Sequence, residues 1–484
     1  MRPLPHLLLL ISAMLVGRLP AQEVRRPNVL LLFADDQRAD TIAAHGNPHV
    51  ETPALDGLVA RGFSFRNAYC MGAHHGAVCK PSRAMLMSGQ HLFAVREDLA
   101  DTTTLPQVLA AAGYRTFATG KWHNGEDSFV ASFEQGVNVF FGGMSDHTKV
   151  PLRDRPRGQA LTEPRQGDGF SSELFADAAI EFLASGRDPG QPFFLYVAFT
   201  APHDPRQPPA RWREHYYADR PPLPANWLPR HPFHNGWMTG RDEQLAGWPR
   251  TREVLADQLA EYYGMISHLD EQVARILAAL EATGEAENTL VIYTADHGLA
   301  LGSHGLLGKQ NLYEHSTKAP LVLAGPGVPA GQSEALVYLF DLVPTICAAA
   351  GTAPPPEAAG HDLGAVARGE VDQVRAQLFT AFEDKMRALR DARWKLIRYP
   401  LLDHTQLFDL ATDPHERTNL ADRAEHAPRV ERMLADLAGW RERCGDDRTP
   451  TSPEPAPMDY DPSGWERKPD RWQPAWIREK YFGR

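Results

Sequence analysis

Residues 28–36 read Asn28-Val-Leu-Leu-Leu-Phe-Ala-Asp35-Asp36, an unbroken apolar run that ends on two adjacent carboxylates. Apolarity without alternation marks a strand covered on both faces, as in a buried parallel sheet. Three further runs repeat the pattern. Tyr114–Thr119 leads into Gly120-Lys121-Trp122-His123, Phe193–Phe199 into Pro202-His203, and Thr289–Thr294 into Asp296-His297-Gly298. Helical periodicity separates them, over Ser171–Ser185 and from about Asp257 to Ala282, with a stop signal at Gly284. This alternation predicts an α/β fold with a large, mostly parallel sheet flanked by helices. In such sheets ligands bind beyond the carboxyl ends of the strands. The Asp, Lys and His residues at these four strand ends are therefore expected to converge on one edge.

Composition narrows the class further. Fifty Lys and Arg against 61 Asp and Glu give a formal net charge of −11, so there is no basic footprint for nucleic acid. A hydrophobic content of 43% excludes a chain that is disordered throughout. Arg2, the apolar run from Leu7 to Val16 and the small residue Ala21 fit a secretory signal peptide over residues 1–21, too short to span a bilayer. No later stretch reaches transmembrane length. The mature chain is thus expected to be periplasmic or secreted, where Cys70, Cys79, Cys347 and Cys444 could form two disulfides.

After about residue 350 the pattern changes. Thr352-Ala-Pro-Pro-Pro-Glu357 reads as a linker or surface loop. Arg393–Tyr399 and Gln406–Leu410 read as short half-buried strands, followed by a helix from about Pro428 to Arg443. The expected organisation is a signal peptide (1–21), a catalytic α/β domain (22–365) and a smaller C-terminal α+β subdomain with a tail (366–484). From about Pro450 the chain is rich in Pro, Trp and charge without a clear period. It reads either as a tail wrapped over the surface or as a loosely ordered end.

Asp35-Asp36 supplies hard anionic oxygens that repel one another unless water screens them or a cation sits between them. Cys79-Lys80-Pro81-Ser82-Arg83 precedes an apolar helical run, Ala84-Met-Leu-Met87. A buried packing thiol is the plain reading of such a cysteine. The Cys-x-Pro-Ser-Arg pattern, however, resembles the maturation signature of the type I sulfatases of the alkaline phosphatase superfamily. The likeness extends over nearly the whole mature chain. It takes in Asp35-Asp36, Thr52-Pro-Ala-Leu-Asp56, Gly120-Lys121-Trp122-His123, Pro202-His203, Asp296-His297-Gly298, Gly308-Lys309 and Leu407-Phe-Asp-Leu with Asp413, Glu416 and Asn419.

The resemblance implies an alkaline-phosphatase-like fold and oxidation of Cys79 to formylglycine by a maturase. It implies one divalent cation, Ca²⁺, held by Asp35, Asp36, Asp296, His297 and an oxygen of modified Cys79. His297 stands where many relatives carry Asn, and a nitrogen ligand also admits Zn²⁺ or Mn²⁺. Arg83 is expected to hold the formylglycine hydrate, and Lys121 and Lys309 to grip the sulfate. His203 is expected to protonate the departing alcohol, and His123 to remove the proton whose loss releases sulfate. The implied substrate is a sulfate ester, with a lean toward sulfated carbohydrate. A phosphonate or phosphate ester hydrolase of the same superfamily and a catalytically inactive binding protein on the same scaffold are the alternatives. His45, His49, His231 and His234 read as structural, His74 and His75 as neighbours of the pocket by loop proximity alone. The stretches 124–167 and 205–250 read as pocket walls.

Overall fold

Strand Asn28–Ala34 lies at the centre of an eleven-stranded sheet, between Thr289–Ala295 on one side and Phe193–Ala198 on the other, all parallel. The arrangement comes from a computed structural model that describes residues 25–188, 190–466 and 475–482. The signal peptide expected over 1–21 lies outside the described residues. Arg115–Lys121 pairs parallel with Phe193–Ala198, and Gln135–Phe140 parallel with Arg115–Lys121. Antiparallel strands take over at the margins, Leu321–Ala324 on one flank and Pro151–Arg155 on the other. Every residue of the three central strands is buried, which is why their sequences show no alternation.

Register brings the strand ends together. Ala34 lies opposite Ala295, Phe33 opposite Ala198, and Ala198 opposite Gly120. The next residue on each of three strands is thus Asp35, Asp296 or Lys121, and all three leave the sheet at one edge. Gly120 makes this register possible: its φ is +95°, and a Cβ there would stand 1.9 Å from the Ala198 carbonyl oxygen.

Helices cover the sheet. Ser171–Ser185 forms as the periodicity predicts. The long helix runs Arg252–Ala282, five residues longer at its start than the sequence pattern indicated, because the Thr251 hydroxyl caps it by accepting from Val254 N.

The smaller sheet has five strands in the order His404–Asp409, Trp394–Tyr399, Met386–Arg390, Leu378–Phe382 and Gly72–Ala73. Helix Ala427–Cys444 follows it in the chain. Three of its strands, Leu378–Phe382, Met386–Arg390 and Gly72–Ala73, were not anticipated. The fifth comes from the N-terminal half of the chain, seven residues before Cys79, and pairs parallel with Ala381 and Phe382. Of the tail, residues 450–466 wrap the surface: Tyr460 Oη donates to His231 O at 2.8 Å, and the Trp465 ring stands 5.1 Å from Trp248.

The two disulfides that the cysteine count allowed are not formed; all four cysteines are free thiols. They sit after strand Phe63–Tyr69 and in three different helices, so the fold keeps them on separate elements. No helix among the described residues is long and apolar enough to cross a membrane.

Candidate active site

The Cys-x-Pro-Ser-Arg spacing is the geometry of a helix start. Cys79 opens helix Cys79–Ser88, and its side chain is buried. Pro81 occupies the first turn, where a missing N–H costs nothing. Ser82 Oγ donates to Asp296 O at 2.9 Å and ties the helix to the end of strand Thr289–Ala295. Arg83 stands one turn beyond Cys79 on the same face, so thiol and guanidinium project together. The guanidinium donates to Lys121 O at 2.7 Å and lies 4.9 Å above the Phe33 ring. Its Nη2 is 3.5 Å from both Asp35 Oδ1 and Asp296 Oδ2.

Carboxylate oxygens of Asp35, Asp36 and Asp296 lie within 4.8 Å of one another, all fully buried. Asp296 Oδ1 accepts from the backbone N–H groups of Asp36 (2.9 Å) and His297 (3.0 Å). Asp36 adopts φ +63°, a left-handed conformation that a non-glycine residue keeps only where its surroundings impose it. Each lysine pairs with one carboxylate: Lys121 Nζ with Asp35 Oδ2 at 2.5 Å, Lys309 Nζ with both oxygens of Asp36 at 2.8 and 3.0 Å. Asp35 Oδ1 and Asp296 Oδ2 nevertheless have no hydrogen-bond donor. Burial pushes Asp296 up to about 8, with the neighbouring Asp35 charge adding to it against His297 and Arg83. Asp35 is buried too, but Lys121 and Arg83 outweigh that and hold it well below the usual carboxylate range.

Three further groups close the cluster. Lys121 Nζ donates to Cys79 Sγ at 3.5 Å, and His123 Nδ1 is 3.4 Å from the same sulfur. Burial opposes ionisation of this thiol, yet Lys121, Lys309 and His123 together hold it well below its ordinary value. His123 has φ +71°, is pushed down by burial, and faces the bare backbone of Gly143, whose Cβ would come within 3.0 Å of Nε2. His203 Nε2 stands 3.0 Å from Lys309 Nζ. His297 Nδ1 donates to Gly298 O at 3.0 Å, which leaves Nε2 turned into the cluster, 3.5 Å from Asp36 Oδ1. Burial lowers this imidazole, but Asp296 and Asp36 raise it to about 9.

All ten residues singled out from sequence (Asp35, Asp36, Cys79, Arg83, Lys121, His123, His203, Asp296, His297 and Lys309) thus join one connected cluster. His74 does not: it bonds Leu92 O and packs edge-on against Phe93. His75 pairs with Glu97 at 2.6 Å instead. His45 bonds Ser64 and His231 bonds His304 O, both outside the cluster.

Sequence reasoning missed Asp204 and His147, which contact His203, and Arg241, Asp242 and Gln310, which extend in series from Asp204. Asp204 directly follows a flagged histidine, and that adjacency was an available signal. Arg241 and Asp242 lay inside the 205–250 stretch read only as a wall. A separate buried group, His304, His315 and Glu416, also gathers ligand atoms within 4.8 Å, but Glu416 is already paired with Lys395 at 2.9 Å.

Comparisons with known proteins bear on the family and the fold. Residues 27–352 match the sulfatase family model, and residues 302–443 match the N-sulphoglucosamine sulphohydrolase C-terminal model. The chain is 25% identical to an N-acetylglucosamine-6-O-sulfatase of Bacteroides thetaiotaomicron, over 85% of this chain and 86% of that protein. A structure solved with its substrate D-glucosamine-2-N,6-O-disulfate superposes with a TM-score of 0.74 at 23% identity, covering 89% of this chain and 100% of the other. The phosphonate monoester hydrolase of Agrobacterium radiobacter shares the fold, with a TM-score of 0.70 at 24% identity over 87% and 96% of the two chains. With its family match spanning the sheet, the Cys79 helix and every residue of the cluster, the chain belongs to the sulfatase family and is an enzyme of that family.

Proposed function

We propose that this sulfatase hydrolyses sulfate monoesters of a carbohydrate, with Cys79 converted to formylglycine by a maturase and one Ca²⁺ held by Asp35, Asp36, Asp296 and His297. The observation that carries the reading is the pair of donorless carboxylate oxygens, Asp35 Oδ1 and Asp296 Oδ2, beside the Cys79 side chain. Three crowded carboxylates suit a hard divalent cation. His297 Nε2, turned into the same cluster, would add a nitrogen donor, which also admits Zn²⁺ or Mn²⁺ in place of Ca²⁺. Bound there, the cation would offset the carboxylate charge and polarise a sulfuryl oxygen. The formylglycine hydrate would provide the attacking hydroxyl and a second one for sulfate release.

The chain's own residues do the rest. A cation sharing their carboxylates would leave Lys121 and Lys309 able to turn their ammonium groups to the sulfuryl oxygens. Arg83, 3.5 Å from one oxygen each of Asp35 and Asp296, would anchor these carboxylates and hold the formylglycine hydrate in place. His203, through Nε2, gives its proton to the ester oxygen as the S–O bond breaks, so the alcohol leaves neutral. His123, the half-buried member beside Cys79, takes up the proton when the aldehyde is restored. The carbohydrate preference is supported by the N-acetylglucosamine-6-O-sulfatase relative. Residues 1–21 as a signal peptide, periplasmic or secreted location, and the division at residue 365 belong to the same reading.

Two measurements test it together. Mass spectrometry of the Cys79 peptide from native-host protein should find the aldehyde form. Paired aryl sulfate and aryl phosphate or phosphonate esters should then show sulfate preference. A clear phosphate or phosphonate preference would favour the hydrolase alternative, and an unmodified thiol with no turnover the binding-protein alternative.

A further inference from the structure

His203 sits at the head of a chain of buried charges that the reaction does not consume. Its Nδ1 donates to the Asp204 carbonyl oxygen at 2.7 Å, and the Asp204 carboxylate Oδ1 is 3.4 Å from the same nitrogen. Nδ1 therefore carries hydrogen, and Nε2 is the nitrogen that faces Lys309 and Asp36. Arg241 pairs with both oxygens of Asp204, donating a hydrogen bond to Oδ1 at 2.8 Å and holding Oδ2 in an ion pair at 2.5 Å. It also reaches Asp242 Oδ1 at 3.1 Å. Asp242 Oδ2 accepts from Gln310 Nε2 at 2.8 Å, and the same amide donates to Gly76 O at 2.8 Å. Gln310 is the neighbour of Lys309, and Gly76 lies three residues before Cys79. On the other face, His147 Nε2 bonds the His203 carbonyl at 2.9 Å. Asp204, Asp242, His147 and His203 are all at least nine-tenths buried.

From this arrangement we infer that Asp204 and Arg241 are positioning residues that fix the tautomer and aim of the His203 imidazole toward the leaving oxygen. A buried carboxylate alone would wander or take up a proton. Two-point clamping by a planar guanidinium removes both freedoms, which a lysine cannot do. Because Arg241 neutralises Asp204, the pair acts by holding the ring rather than by adding net charge behind it. The connection through Asp242 and Gln310 ties that aim to the loop carrying Lys309 and to the backbone leading into Cys79. The inference rests on His203 being the acid, as proposed above.

Leaving-group dependence is the readout that a merely structural role would not move. The departing phenolate of 4-nitrophenyl sulfate needs little help from a proton, whereas that of 4-methoxyphenyl sulfate needs more. Asp204→Asn and Arg241→Met should lower kcat on 4-methoxyphenyl sulfate by about 10–100-fold, less than outright loss of a general acid because the Asp204 carbonyl still holds Nδ1. On 4-nitrophenyl sulfate the loss should stay under about 3-fold, with KM unchanged on both and Arg241→Lys in between. Equal losses on the two sulfates, or none, would overturn the inference. His203→Ala, run alongside, separates the two levels. If it discriminates between the sulfates and Asp204→Asn does not, only the positioning role falls. If His203→Ala itself fails to discriminate, the acid assignment falls with it. Asp204→Asn preserves shape and remains decisive should Arg241→Met not fold.

Discussion

Replacing Asp296 by Asn should have opposite effects on stability with and without a divalent cation. In the metal-free protein the Asp296 carboxyl is pushed up to about 8, first by burial and then by the Asp35 charge. An unfolded carboxyl titrates near 3.9, so at pH 7 the native state retains a proton that the unfolded chain has released. The difference of about 3 pH units, at about 1.4 kcal/mol each, makes folding about 4 kcal/mol less favourable at pH 7 than below pH 4. The sign follows directly. A raised acid pKa contributes stability that is complete below the unfolded value and is lost as pH rises toward the folded one. Asn carries no such proton and can keep its oxygen on the backbone N–H groups of Asp36 and His297. In EDTA at pH 7 the Asn variant should therefore melt higher, by roughly 5 °C for a chain of this size, and the gap should close at pH 4. In millimolar CaCl₂ the order should reverse, because the variant lacks one ligand of the proposed cation site and with it part of the stabilisation that binding would supply. Scanning calorimetry of both proteins at the two pH values, with and without calcium, measures all four cases. An Asn variant that melts no higher than its parent in EDTA at pH 7 would refute the charge-crowding argument for a cation site.

Three other outcomes can be checked more simply. Under the proposed formylglycine mechanism, Cys79→Ser removes the group that would become an aldehyde and leaves no second hydroxyl for release, so turnover of an aryl sulfate should fall by at least about a thousand-fold while the melting temperature holds. Gly120→Ala forces a methyl group to within 1.9 Å of the Ala198 carbonyl oxygen at a φ of +95°. It should cost about 3 kcal/mol or more, read as a lower melting temperature or loss of soluble protein. Arg387 makes buried bonds to both oxygens of Asp446, at 2.6 and 2.9 Å, and Arg387→Ala should destabilise by about 3–5 kcal/mol in a denaturant series, with less effect from the paired replacement of both residues by apolar side chains.

Strand ends and their partners were legible to very different degrees, and the reason is where the constraint resides. Asp35, Lys121 and Asp296 each follow a fully buried run, and parallel pairing then dictates that their side chains leave the sheet at a common edge. Cys79, Ser82 and Arg83 were legible through the resemblance of Cys-x-Pro-Ser-Arg to the sulfatase signature, and in the structure one helical turn brings them to one face. The hairpin Leu378–Phe382 and Met386–Arg390 was harder to see. Its second strand carries Arg387 and Arg390, which look solvent-exposed in sequence but are buried against Asp446 and Asn67. Gly72–Ala73 is only two residues long, and no periodicity can be read from two residues. Least legible of all was the support of His203. Asp204 and Arg241 are 37 residues apart, and Gln310 is further still. Nothing in the composition of the loops between them fixes the path that brings a guanidinium onto a carboxylate. A sheet edge has a register that sequence can anticipate, whereas a loop has none, and the residues that aim a catalytic side chain come mainly from loops. That asymmetry is why the residues that gather at the strand ends of this sulfatase could be named from its sequence and those packed behind His203 could not.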